Sequence, residues 1–165
     1  MKTVLFTSVF ILLSLTSISQ SVSKLDEKYG FREMKFETSL TSFKNLVKVQ
    51  ENFYASTTEN LTLGNYKLSQ IAYGFYKGRL FSIIIMTKGL TNSSGVLKIL
   101  QQAYGTGYKD NEYLESYIWR GEKVKMTYEE NSITSDATII MWSKKLWDLK
   151  TSEEEKANSE AAKKL

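Results

Sequence analysis

The sequence predicts an α+β fold built on an antiparallel sheet, on three observations. Its 10 tyrosines, 8 phenylalanines and 3 tryptophans fall mostly in short alternating runs bounded by glycine, asparagine and serine, which is how strands separated by turns read. Two stretches, Ile71–Ile83 and Leu114–Met126, each read as strand, tight turn, strand, with an aromatic, a base and a glycine at the corner. Upstream of each lies an apolar series at helical spacing. Phe43, Leu46, Val47 and Gln50 follow Thr41 or Ser42 as N-cap, and Val96, Ile99, Leu100 and Ala103 follow Ser93 or Ser94.

Taken in order, the chain opens with an export signal. Lys2 is the positive start, Val4 to Leu15 is a mostly apolar run, and Ser17-Ile18-Ser19 offers small residues for cleavage before Gln20. The run is shorter than the roughly 20 apolar residues of a spanning helix. Residues 1–19 are therefore expected to be removed, leaving a protein that does not span the membrane. Phe31 to Phe36 reads as a leading strand. Two helix-plus-hairpin halves, 30–88 and 89–145, then make a candidate duplication, with an insertion near Glu51 to Leu63 in the first. Together they form a single α+β domain over 20–148. Ala137 to Ser143 is a closing strand in which Ile139 and Met141 alternate with Ile140 and Trp142. Residues 149–165 read as a charged helical or frayed tail with a capping-box pattern from Ser152 to Glu155, docked at its first turn and solvated or frayed beyond it.

Turn placement assigns the faces. With Lys77-Gly78 and Arg120-Gly121 as two-residue turns, Tyr113, Tyr117, Trp119, Val124, Met126 and Tyr128 share the core face of the second hairpin. The same assignment puts Ala72, Gly74, Tyr76, Phe81, Ile83 and Ile85 on the core face of the first. Its opposite face then holds Ile71, Tyr73, Phe75, Leu80, Ser82 and Ile84, and is far too apolar to be left in water. Tyr73, Phe75, Leu80 and Ile84 are thus the candidate binding residues for a protein partner or an apolar ligand. The competing cover is the chain's own segment from Glu51 to Tyr66.

Composition narrows the chemistry. The chain has no histidine, cysteine or proline, so it has no imidazole base, no thiolate and no soft-ligand zinc or copper site. No metal and no cofactor are expected. A formal net charge of +4, dispersed along the chain, does not argue for nucleic acid. Absence of disulfides in an exported chain favours a bacterial periplasm or the outside medium. Glu129-Glu130 point to opposite faces if they lie in a strand, and Asp110-Asn111-Glu112 lacks the order of a calcium loop. Gly105-Thr106-Gly107 follows a helix and reads as its C-cap.

Gly30-Phe31-Arg32-Glu33-Met34-Lys35-Phe36-Glu37-Thr38, Leu63-Gly64, Ile71 through Leu80, Tyr104-Gly105 and Tyr117-Ile118-Trp119-Arg120-Gly121 resemble a family of uncharacterised exported bacterial proteins. That family has a GFRGIKFGT-like opening and a YGFYKGRF-like hairpin, and here Glu33 and Glu37 stand in place of its glycines. The resemblance implies an extracytoplasmic address and carries over no functional residue. The expected function is a non-catalytic binding module of the cell envelope, acting as inhibitor, adaptor or assembly factor through an aromatic sheet face or an exposed strand edge. The alternatives are a small carboxylate-dependent hydrolase and a carrier of an apolar small molecule.

Overall fold

The computed structural model describes residues 24–164. The expected export signal over 1–19 and its expected cleavage point lie outside those residues. The fold is α+β: a seven-stranded antiparallel sheet whose strands run across it in the order 46–50, 53–56, 70–76, 79–87, 137–143, 124–130 and 116–120, with helices and two small two-stranded ribbons around it.

Residues 24–28 are helical (α1) and are followed by β1 (Gly30–Phe31) and β2 (Met34–Lys35), a minimal ribbon with Arg32 and Glu33 at its turn. The single leading strand expected over Phe31 to Phe36 is thus folded back on itself, with Arg32 at φ 54°.

The first predicted helix is the larger correction. A short 3-10 turn over Leu40–Ser42 leads into β3 (Leu46–Gln50), which forms a hairpin with β4 (Phe53–Ser56). Asn45 and Asn52 bracket β3 with φ of 64° and 62°, and two valines in Leu46-Val47-Lys48-Val49 favour extended backbone. Helical spacing there was incidental. The two candidate halves therefore differ, since residues 30–69 of the first contain no α-helix to match α2.

Strands β5 (Thr62–Leu63) and β6 (Tyr66–Lys67) make a ribbon over α2 (Gly89–Tyr104). That helix begins before the expected serine caps, after Lys88, and buries Val96, Leu97 and Leu100. Ser93 sits inside it, its hydroxyl shared with Thr87 at 2.7 Å and donated to the Ser135 carbonyl at 2.6 Å. Gly105 caps the helix at φ 81°, and the Trp119 indole donates to its carbonyl.

The two hairpins exist where predicted. β7 (Gln70–Tyr76) and β8 (Arg79–Thr87) meet through Lys77-Gly78, both at positive φ as a tight type I′ turn requires. β9 (Ser116–Arg120) and β10 (Val124–Glu130) turn at Glu122-Lys123, two residues later than expected. That shift preserves which residues share a face. Tyr117, Trp119, Val124, Met126 and Tyr128 do line the core, whereas Tyr113 stands outside it in the preceding loop.

β11 (Ala137–Ser143) closes the sheet between β8 and β10, with Ala137, Ile139 and Met141 facing inward and Ile140 and Trp142 outward. α3 (Lys144–Ala162) starts directly after it, Ser143 Oγ accepting from the Leu146 amide. Ser152 therefore lies within the helix rather than at its cap. Leu146 is buried and residues 157–164 are exposed.

Candidate functional site

The four candidate binding residues are separated by one β-bulge. Tyr76 pairs with Arg79 and Phe75 with Leu80, but Gly74 pairs with Ser82 and Tyr73 with Ile83, leaving Phe81 as the extra residue. Beyond the bulge every β8 side chain changes face relative to a regular ladder. Tyr73, Phe75 and Leu80 accordingly join Ile71, Ile83 and Ile85 in the core, and all are almost completely buried. Ile84 alone stays on the outer face. The faces expected for β7 are thus inverted, Ala72, Gly74 and Tyr76 turning outward with Phe81, while the bulge keeps Ile83 and Ile85 inward as expected; the inner set is ordinary core.

Part of the cover comes from the chain's own segment between Glu51 and Tyr66. Tyr54 meets the Phe75 ring edge-on at 5.3 Å, and Phe43 does so at 5.8 Å. Tyr73 donates its hydroxyl to Glu59 at 2.5 Å, and Glu59 is ion-paired with Arg32. Burial and then this carboxylate raise the Tyr73 phenol well above its ordinary value, so it stays protonated.

A charged cleft of about 600 Å³ is lined by Asp26, Glu27, Tyr29, Glu37, Glu122, Lys123 and Lys145. It gathers four carboxylates, those of Asp26, Glu27, Glu37 and Glu122. Its groups are engaged with their neighbours: Asp26 accepts from the amides of Glu122, Lys123 and Val124 at 2.6 to 2.9 Å. Glu37 accepts from the Lys145 ammonium at 2.6 Å and from the Tyr29 hydroxyl, which also lies 3.2 Å from Ser143 Oγ. The Lys145 bond, then that of Tyr29, holds the Glu37 carboxyl below the usual range, the opposite of what a general acid needs. Asp26 and Glu37 thus brace the N-terminal segment against the two hairpins. Glu129 and Glu130 both belong to β10, Glu130 accepting from Tyr128 at 2.6 Å. Among the described residues no group of three or more acidic side chains is placed to hold a metal ion.

The outer face of the sheet is different. Val49, Gln50, Phe53, Gln70, Ala72, Ile84 and Met86 line an open groove of about 150 Å³, apolar on its floor and carrying two amides. β3, which supplies Val49 and Gln50, is the terminal strand of the sheet, and its Val47 and Val49 are about half exposed. Toward the hairpin turn the same face is closed by α3, where Trp147 packs on Phe81 and Trp142, and Glu153 accepts from Tyr76 and Lys77. Among the predicted residues only Ile84 belongs to this groove. The β3 edge was not singled out, because its spacing was read as helical.

The chain matches no protein-family model, and no curated protein or solved structure matches it. No helix of the described residues is long and apolar enough to cross a membrane.

Proposed function

We propose that the protein is a non-catalytic binding module of the bacterial cell envelope that takes an extended segment of a partner protein along β3. The observation that carries this reading is a terminal strand whose outer edge pairs with no other strand among the described residues, running beside an apolar groove on the same sheet. An edge strand offers unpaired backbone donors and acceptors to an added strand, and the neighbouring recess takes alternate side chains from it. The groove is shallow and open, which supports a binder over a carrier that encloses its cargo. Lys48, at the middle of β3, disfavours pairing of two copies about that point, where it would meet its own charge, and so favours a different chain as partner. Export, the periplasmic or secreted address and the resemblance of the opening and hairpin motifs belong to the same proposal.

A photo-crosslinking residue placed at Val49 in the native host tests it. A discrete adduct with one envelope protein is expected, and Ile84→Asp should abolish it while lowering stability by only about 1 kcal/mol, since Ile84 is half-buried. Phe75→Asp, by contrast, buries an unpaired carboxylate and should unfold the chain. Crosslinking that ignores Ile84→Asp would refute the groove as the site.

A further inference from the structure

At the opposite edge of the sheet from the groove, two loops leave the ends of neighbouring strands. Residues 109–115 precede β9 and residues 131–136 join β10 to β11. They are tied at their base by the Glu130 amide, which donates to the Glu115 carbonyl at 3.0 Å. Each carries a large apolar side chain almost wholly in water: Tyr113 is 95% exposed and Ile133 is 91% exposed. Leu114 beside Tyr113 is also exposed. Neither tip is covered by any other described residue. Both are nonetheless held in place, Asn111 Oδ1 accepting from the Tyr113 amide and Asn131 Oδ1 from the Ile133 amide, each at 2.9 Å.

The charge around these tips runs against that of the whole chain. The protein is formally +4, yet Asp110, Glu112, Glu115, Glu129, Glu130 and Asp136 gather at this end against two lysines, Lys109 and Lys88, the latter beside Asp136 at the end of β8. Lys109 is tied to Glu115 at 2.8 Å. Asp136 holds the Gly89 amide, Tyr117 and Tyr128 donate to Glu115 and Glu130, and Asp110, Glu112 and Glu129 have no side-chain partner among the described residues. An anionic lipid surface would be repelled by this pole, and so would a second copy presenting the same end. A basic surface with apolar recesses meets both features.

We propose that the end of the sheet carrying Tyr113 and Ile133 is a second docking surface, for a basic protein partner that takes the two apolar tips and faces the surrounding carboxylates. The proposal is independent of the groove at β3. With two separate surfaces the module would join two proteins, as an adaptor does.

The test uses the 15N-labelled protein from its native source, titrated with a short alternating lysine-leucine peptide and, separately, with its glutamate-leucine counterpart. The expected result is amide shifts confined to residues 109–115 and 129–136 with the lysine peptide alone, weakening as salt rises. The double variant Tyr113→Ser/Ile133→Ser should bind about tenfold more weakly. Glu112→Lys should weaken binding without altering the melting temperature, which separates recognition from folding. Shifts elsewhere, equal response to the glutamate peptide, or unchanged affinity in both variants would overturn the proposal. So would perturbation of the same amides by neutral phosphatidylcholine vesicles with no response to the lysine peptide, which would make the tips a membrane contact.

Discussion

The two hairpins β7–β8 and β9–β10 look alike along the chain, flank the same strand β11, and are built differently. β9–β10 is a regular ladder, so a single parity decides every side chain from Tyr117 to Tyr128. β7–β8 carries one unpaired residue, Phe81, and its two ends obey opposite parities. The extra residue lets Leu80 and Ile83 both face the core. Phe81 itself reaches outward to Tyr76 and Trp147 and receives α3. Gly74 opposite the bulge is needed because a Cβ there would collide with Ser82 Oγ and the Phe53 ring. A bulge thus converts one strand into a core element at one face and a helix dock at the other.

Single-residue deletions give the sharpest contrast. Removing Phe81 takes out a residue the ladder already leaves unpaired, so the fold should survive at a cost of about 3 kcal/mol from lost packing against α3. Removing Thr127 should unfold the protein, because either Val124 and Met126 or Tyr128 must then turn to solvent. Urea unfolding followed by tryptophan fluorescence reads both. Equal losses would mean the bulge carries no special role.

The hairpin turns are braced by different parts of the same N-terminal segment. Asp26 collects three amides at the β9–β10 turn, where Gly121 leaves room for its carboxylate. At the other hairpin, residues 37–40 pair with 78–80, and Glu37 adds its ion pair with Lys145. Asp26→Ala should cost about 2 kcal/mol and Glu37→Ala about 1 kcal/mol. Glu37 has φ 64°, so Glu37→Gly should be about 1 kcal/mol more stable than Glu37→Ala. The Glu37 carboxyl is depressed in the fold, so its contribution is present at neutral pH and lost as pH falls below about 4.5. Chemical denaturation from pH 7 to 3 should show the gap between the parent and Glu37→Gln closing over that range.

The smallest effect is expected at the bulge itself. Ser82 Oγ is buried without a partner among the described residues, so Ser82→Ala should raise stability by up to about 1 kcal/mol. A loss in thermal melts would show that the hydroxyl has a role in shaping the bulge.

Much of the fold was legible residue by residue. The Lys77-Gly78 turn, the alternation of Ala137 to Ser143, the core face of β9–β10 and the apolar stripe of α2 follow from local backbone preference and side-chain period. These depend on neighbours a few positions away, which a sequence displays directly. β3 carries helical spacing and strand composition at once, and its pairing with β4 decided between them. The start of α3 was decided by Ser143, a residue inside the strand pattern that also serves as a cap. The bulge at Phe81 exists because β8 must match β7 on one side and β11 on the other, a demand that no local pattern records. Hence three of the four candidate binding residues proved to be core, and the free edge beside the fourth emerged only once the strands were in order. Sequence by itself determined the hairpin strands, β11, α2 and, wherever the ladder is regular as in β9–β10 and β11, the face turned to the core. Tertiary structure decided that β3 is a strand and which faces of β7 and β8 meet water, because pairing settles a segment of mixed pattern and a single unpaired residue reverses a face.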